Sequence, residues 1–396
     1  MTYSIPLPLP ELDLWQRTAA RRTPLSFDLE LTARCNLNCR HCYINLPAGD
    51  PAAKATELTL AEIEHIAGQA VSMGALWCLL SGGEPLLRPD FADIYLMLKR
   101  LGLLVSVFTN ATLVTPEHVA LFKRYPPRAI EVTVYGVTRQ TYEAVTRRPG
   151  SFAQFQRGLG MLQQAGIKVT LKAMALQSNV AELAAIGTFC RERSATDFRF
   201  DPFLHLRYDG DPQRNAEIRA ERLSPEQVVA IEQADPERLQ AVQKQCHALV
   251  LHGEEDAACD LIFHCGAGTS SFSVTWDGHF RLCSSLEGAE CVYDLRQGSL
   301  QDAWEVFAPQ VRDRRSHSPE FWEHCHHCPL INLCAWCPAS AALETGRLDG
   351  WVESFCRMAQ ARYAAHHTPD AGEGEGPPCS PGIKPSGADW RANCPR

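Results

Sequence analysis

The sequence predicts an α/β fold: a parallel sheet of about six strand–helix units, followed by a cysteine-rich region of different character. Three observations predict it. Strand-like and helix-like segments alternate from residue 25 to about residue 205, which favours parallel strands joined by right-handed crossovers. That alternation stops after residue 205. The 17 cysteines are gathered in two places: three lie between residues 35 and 42, and nine between 259 and 356. Six units suit a partial barrel or an open doubly wound sheet, and the pattern alone does not decide between them.

The elements follow in order. Residues 1–24 are Pro-rich, then basic, and read as an extended N-terminal arm. Ser26–Thr32 reads as the first strand. Thr59–Gly74 reads as a helix, with Thr59 and Glu62 at capping-box spacing. Leu76–Leu80 is an apolar strand, Phe91–Arg100 a helix, and Leu103–Phe108 a strand. Thr115 and Pro116 open the next helix as N-cap and N1. Ile130–Tyr135 is a strand, with helices at about 139–147 and 152–165 ending at Gly166. Lys168–Met174, Val180–Arg193 and Phe198–Phe200 complete the series as strand, helix and short strand. These residues, 25–205, form the first domain. A charged, helical bridge spans 206–258, a second domain spans 259–366, and 367–396 has the Gly, Pro and charge content of a disordered tail.

Composition narrows the function. The chain has 396 residues and a formal charge of −8, which argues against nucleic-acid or anionic-membrane partners. No apolar run is long enough to cross a membrane, and the N-terminus lacks the features of a signal peptide, which places the chain in the cytoplasm. In that reducing compartment many cysteines imply thiolate ligation or catalysis rather than disulfides.

Cys35, Cys39 and Cys42 follow the first strand with C-x3-C-x2-C spacing. Three thiolates on one loop can hold three irons of a cubane and leave the fourth open to an outside ligand, whereas four cysteines saturate the cluster. The competing zinc site prefers a fourth protein ligand, and His41 is too close to Cys42 to share a tetrahedron comfortably. Gly82-Gly83-Glu84-Pro85 follows the second strand. Its glycines allow close approach to the backbone, and Glu84 offers an acceptor to an ammonium group.

Together these motifs resemble the radical SAM superfamily, with His41 at the position the family fills with an aromatic residue. The likeness continues through Phe108-Thr109-Asn110-Ala111-Thr112 and Val132-Thr133-Val134-Tyr135-Gly136, and covers about residues 25–205. It implies a partial (β/α)6 TIM-type barrel with its site at the C-terminal ends of the strands. It also implies a 4Fe-4S cluster whose open iron chelates S-adenosylmethionine (SAM) and reductively cleaves it to a 5′-deoxyadenosyl radical. By the same resemblance Gly82, Gly83 and Glu84 bind the methionine moiety, Thr133 faces SAM, and Arg147, with the neighbouring Arg148 as the alternative, pairs with its carboxylate.

The second set reads Cys259-x5-Cys265-x12-Gly278-x4-Cys283, then Cys325-x2-Cys328-x5-Cys334-x2-Cys337, then Cys356. Eight thiolates suit two fully cysteine-ligated clusters, or two zinc ribbons. The region resembles the SPASM extension of peptide-modifying radical SAM enzymes, except that the step to Cys337 is x2 where x3 is common. The resemblance implies two auxiliary 4Fe-4S clusters, one on Cys259, Cys265, Cys283 and Cys337 and one on Cys325, Cys328, Cys334 and Cys356. Cys246 or Cys291 are alternatives to Cys259. Phe272–Phe280, with Asp277-Gly278, reads as a hairpin. Cys78 and Cys190 read as buried small apolar residues. Asp201, before Pro202, reads as a turn residue or as a proton acceptor at the barrel mouth.

The expected function is that of a radical SAM/SPASM oxidoreductase maturing a ribosomal precursor peptide by cross-linking, oxidation or epimerisation. Its expected partners are the peptide, a separate leader-recognition protein of the RRE type, and an electron donor such as flavodoxin or ferredoxin. The alternatives are a tetrapyrrole- or cofactor-modifying relative, and a non-catalytic metal-binding or electron-transfer protein.

Overall fold

The computed structural model describes residues 18, 21–194, 199–249, 260–326, 328–334 and 336–366. Most of the N-terminal arm, the C-terminal tail and Cys259 lie outside the described residues.

Six parallel strands stand in chain order: β1 (Ser26–Thr32), β2 (Trp77–Gly82), β3 (Leu104–Thr109), β4 (Ala129–Thr133), β5 (Val169–Met174) and β6 (Arg199–Asp201). A doubly wound sheet needs a point where strand order reverses, and none occurs here. Sequential order instead sends the crossovers to one side, and the sheet curls around its other face as a partial barrel. Between the strands run α1 (Leu60–Ser72), α2 (Phe91–Arg100), α3 (Pro116–Arg124), α4 (Arg139–Thr146), α5 (Ser151–Gln164) and α6 (Leu183–Arg193). Thr59 and Glu62 make the capping box, with Thr59 Oγ1 accepting from Glu62 N and the Glu62 carboxylate accepting from Thr59 N.

Side-chain alternation explains the curl. Phe27, Leu29 and Leu31 of β1, Cys78 and Leu80 of β2, and Val105 and Val107 of β3 are buried towards the helices. They pack with Ile63, Ile94, Leu98, Phe155 and Ile186 in one core. The other face is largely polar: Asp28, Ser81, Glu131, Thr133, Lys172 and Asp201 line one cavity, together with Leu79 and Phe108. Cys190 is fully buried in the same core as Cys78.

The C-terminal region joins this sheet. The hairpin β7 (Ser271–Val274) and β8 (His279–Arg281), followed by β9 (Val292–Asp294), extends it to nine strands in the order β9-β8-β7-β1-β2-β3-β4-β5-β6. β7 runs parallel to β1 with Phe27 opposite Phe272, and the two rings stack 5.4 Å apart. At the turn, Gly278 takes a positive φ of 90°. The bridge is helical, as α7 (Pro212–Glu221), α8 (Pro225–Ala234) and α9 (Pro236–Leu249). Beyond the hairpin, α10 (Pro319–His324), α11 (Pro338–Thr345) and α12 (Glu353–His366) carry the remaining cysteines or flank them. Among the described residues, no helix is long and apolar enough to cross a membrane.

Candidate active site

A cavity of about 330 Å³ opens at the C-terminal ends of the strands and reaches into the barrel. Cys35, Cys39, Cys42, Gly82, Gly83, Thr133 and Asp201 all line it, so sites 166 residues apart in sequence meet there. Its floor is Asp28, Leu79, Phe108, Glu131 and Lys172. Lys172 Nζ lies 3.1 Å from Glu131 Oε2 and 3.4 Å from the centre of the Phe108 ring.

The triad loop is held at both ends. The buried Arg34 forms a bidentate pair with Glu57, through Nε to Oε1 at 2.7 Å and Nη2 to Oε2 at 3.0 Å. A short parallel ladder joins Arg34–Cys35 to Leu46–Pro47 and closes the loop. In the middle, Asn38 N and Arg40 N donate to the carbonyls of Thr146 and Val145 at the end of α4. Arg214 Nη2, from α7, donates to the Cys39 carbonyl at 2.9 Å.

The glycine turn sits on the triad's root. Gly82 has a φ of 115°, and Gly83 N donates to Thr32 O at 2.6 Å. A Cβ at Gly83 would stand 2.2 Å from Arg34 O, so only glycine fits without moving backbone.

Glu84 differs from the expectation. Its carboxylate is fully buried and does not line the cavity. It accepts from Thr109 Oγ1 at 2.8 Å, Asn110 N at 2.8 Å and Leu86 N at 3.1 Å. Burial raises its pKa to about 7, against the opposing pull of these three donors. Glu84 thus clamps the turn after β3 against the glycine turn. Asn110 passes the clamp on, donating from Nδ2 to Asn36 Oδ1 at 3.0 Å, with Cys35 Sγ 3.8 Å away.

Arg147 also lies elsewhere than expected. It ends α4 in a left-handed conformation, and its guanidinium pairs with Glu217 of α7 at 2.6 Å, outside the cavity lining. Asp201 lines the rim, is exposed, and accepts from Phe203 N at 2.9 Å.

The donor set fits an iron–sulfur cluster. Burial pushes the Cys39 thiol up to about 12, with Cys42 adding to it, and raises Cys35 as well, with the Glu84 charge adding. Buried thiols of this kind become thiolates when a bound cation compensates them. Among the described residues, no three His, Cys, Asp or Glu side chains converge on a point fit for a single ion. The triad instead rings a cavity, as a cubane with one thiolate per iron requires and a tetrahedral zinc site does not. His41 is half-buried and tilted against Tyr135 at 5.3 Å, and desolvation of its ring lowers its pKa to about 4.

The C-terminal cysteines form two groups. Cys325, Cys328, Cys334 and Cys356 line one small cavity with His324, Leu330, Ile331 and Trp336. Trp351 donates its indole N–H to Cys356 Sγ at 3.1 Å. Cys283 is near enough to Cys265 and Cys337 for their charges to add to the burial that raises its thiol to about 11. Cys337 Sγ caps α11, accepting from Ser340 N at 3.4 Å. Cys291 is buried, and its thiol is raised to about 11 by burial above all.

Sequence reasoning missed the contribution of the bridge. Its Arg207 and Arg214 reach the triad loop through Asn45, next to Tyr43 and His205 of the first domain, which line the cavity. The Arg207-Tyr208-Asp209-Gly210 segment carries no motif, so no local signal marks it.

Residues 29–186 match the family model of the radical SAM superfamily. An AdoMet-dependent heme synthase of Methanosarcina barkeri is 26% identical over 348 residues, 83% of this chain and 95% of the relative. The antilisterial bacteriocin subtilosin biosynthesis protein AlbA of Bacillus subtilis is 26% identical over 321 residues, 79% of this chain and 67% of the relative. The crystal structure of Streptococcus suis SuiB bound to precursor peptide SuiA is similar with a TM-score of 0.64 at 14% identity, covering 90% of this chain and 82% of that one. At that identity the likeness concerns the fold. The family match begins on the strand leading into the triad and ends on the helix after the fifth strand, so the part of the sheet that builds the cavity is the part that matches the radical SAM superfamily.

Proposed function

We propose that this chain modifies a ribosomal precursor peptide by radical chemistry, with one SAM-binding and two auxiliary 4Fe-4S clusters. The single cavity shared by Cys35, Cys39, Cys42, Gly82, Gly83 and the polar barrel floor carries the reading. When bound on the triad, the cluster supplies the electron that cleaves SAM to a 5′-deoxyadenosyl radical, which abstracts a hydrogen atom from the substrate. The chain's own residues do the rest. Gly82 and Gly83 present bare backbone to the methionine end of SAM, with Glu84 holding the turn from beneath. Thr133 and Tyr135 face the cavity from the end of β4 and just beyond it. The ammonium of Lys172, held by Glu131 and Phe108, closes the floor against bulk water. Asp201, at the exposed rim, is placed to take a proton from the oxidised substrate.

Cys265, Cys283 and Cys337, with Cys259 as fourth ligand, hold the first auxiliary cluster; Cys325, Cys328, Cys334 and Cys356 hold the second. A separate leader-recognition protein and a flavodoxin- or ferredoxin-type donor complete the system. The role of AlbA in bacteriocin biosynthesis supports the peptide reading. The heme synthase relative favours a second reading, a tetrapyrrole substrate.

Incubation of the reconstituted protein with SAM and a strong reductant should release 5′-deoxyadenosine, and about 12 irons per chain should be bound. Absence of 5′-deoxyadenosine refutes the enzyme. Mass spectrometry of a co-expressed neighbouring-gene peptide should show a mass change, whereas turnover of an iron porphyrin precursor with no peptide change selects the second reading.

A further inference from the structure

Two aromatic side chains link the triad loop to the Cys283 loop. Tyr43 follows Cys42 directly in the chain, and Ser284 follows Cys283. Between them stands Tyr208, from the bridge. Its ring centre lies 4.9 Å from that of Tyr43, its N–H donates to Tyr43 O at 3.3 Å, and its hydroxyl donates to Ser284 O. The path Cys42–Tyr43–Tyr208–Ser284–Cys283 therefore consists of covalent bonds, a Tyr43–Tyr208 step made by a ring contact with a backbone hydrogen bond beside it, and one hydrogen bond from Tyr208 to Ser284. Tyr43 and Ser284 both line the SAM cavity, so the path runs along its wall.

We propose that Tyr43 and Tyr208 are the electronic bridge between the SAM-site centre and the auxiliary centre at Cys283. This rests on the cluster assignments above. The step is one electron. A carbon-centred substrate radical, the reductant, gives an electron to the centre at Cys283 as its proton leaves. The bridge then carries one electron to the centre at Cys42, so the first is reoxidised and the second reduced, with no bond broken in the bridge. The Arg281 guanidinium stands 5.2 Å from the Tyr208 ring centre and opposes removal of an electron from that ring. Tyr208 is thus a coupling element rather than an oxidised relay, and both tyrosines are positioning residues.

The test uses the full-length reconstituted protein without SAM or substrate. Photoreduction by a deazaflavin delivers about one electron per chain, and freeze-quench EPR follows its redistribution between the SAM-site and auxiliary signals. Tyr43→Leu removes the ring contact, Tyr208→Phe removes only the hydroxyl, and Tyr43→Phe keeps the ring. The fast redistribution phase should be slowed in Tyr43→Leu, which keeps only the backbone hydrogen bond between the two residues, and slowed in Tyr208→Phe. It should persist in Tyr43→Phe, with line shapes and midpoint potentials unchanged throughout. An unchanged rate in both Tyr43→Leu and Tyr208→Phe overturns the bridge. Loss of a cluster signal in both variants also overturns it, since the pair is then a structural prop. A wild-type protein with the SAM-site signal alone and about 4 irons refutes the auxiliary-cluster reading itself, and the iron count separates that failure from failure of the bridge.

Discussion

Gly83→Ala tests whether the glycine turn and the triad are mechanically one unit. An added Cβ meets three backbone atoms: Arg34 O at 2.2 Å, Ala33 O at 2.7 Å and Arg34 C at 2.7 Å. No flexible side chain is among them, so the strand end or the turn must move by about 1 Å. That shift strains the bonds from Gly83 N to Thr32 O and from Glu84 N to Arg34 O. Overpacking costs about 1–3 kcal/mol and each of the two weakened bonds about 0.5–1.5 kcal/mol, for a loss of roughly 2–6 kcal/mol. Because Arg34 precedes Cys35, the shift also moves the first thiolate. Gly160→Ala on α5 is the control: a Cβ there meets nothing within 4 Å, and alanine in a helix gains about 0.5–1 kcal/mol. Urea unfolding of both variants gives the stability change, and 5′-deoxyadenosine release gives the functional one. The expectation is a lower midpoint with sharply reduced release for Gly83→Ala, and a midpoint at or above wild type with normal release for Gly160→Ala. A Gly83→Ala protein matching wild type in both measurements refutes the argument.

Glu30, buried beside Arg281, has its pKa raised to about 7, chiefly by burial, above an ordinary value of 4.5. The folded state therefore holds more protons than the unfolded one across that window, and this group's stabilisation fades as pH rises from about 4.5 through about 7. Glu30→Gln should flatten that fall in denaturant midpoints; an unchanged slope counts against it. Arg281 is fully buried and pairs with Glu30 at 2.9 Å and with Glu287. Arg281→Met should cost about 3–5 kcal/mol by stranding a buried carboxylate, and adding Glu30→Gln should restore part of the loss. Strict additivity in that double-mutant cycle would falsify the pairing. Cys325→Ala should lower bound iron by about 4 per chain while leaving SAM cleavage by chemical reductant intact; iron analysis and nucleoside chromatography check both halves.

Much of the barrel was legible in the sequence because its signals are local. β1 and α2 fall on the residues their periodicity marks, and Thr59 and Thr115 cap the helices that their spacing announces. The triad was legible for the same reason, since three cysteines on one loop need no distant partner to declare their chemistry. The direction of the Glu84 carboxylate was not legible, because its motif fixes where the residue stands but not which way its side chain turns. The donors that claim it, Thr109 and Asn110, come from the next strand and the turn after it. Arg147 was claimed likewise by Glu217, 70 residues on in a stretch without motifs.

By itself the sequence determined the strand–helix order, the loop chemistry at Cys35–Cys42 and the glycine turn, all set by backbone geometry and donor type within a few residues. The tertiary structure alone decided that the strands stand in chain order, that β7 adds to the free edge of β1, and that Arg281 reaches Glu30 across 251 positions. It alone brought Tyr208 between Tyr43 and Ser284. The reason is physical: an edge strand, a buried charge and an aromatic face each need a partner, and which partner comes is set by how the whole chain packs.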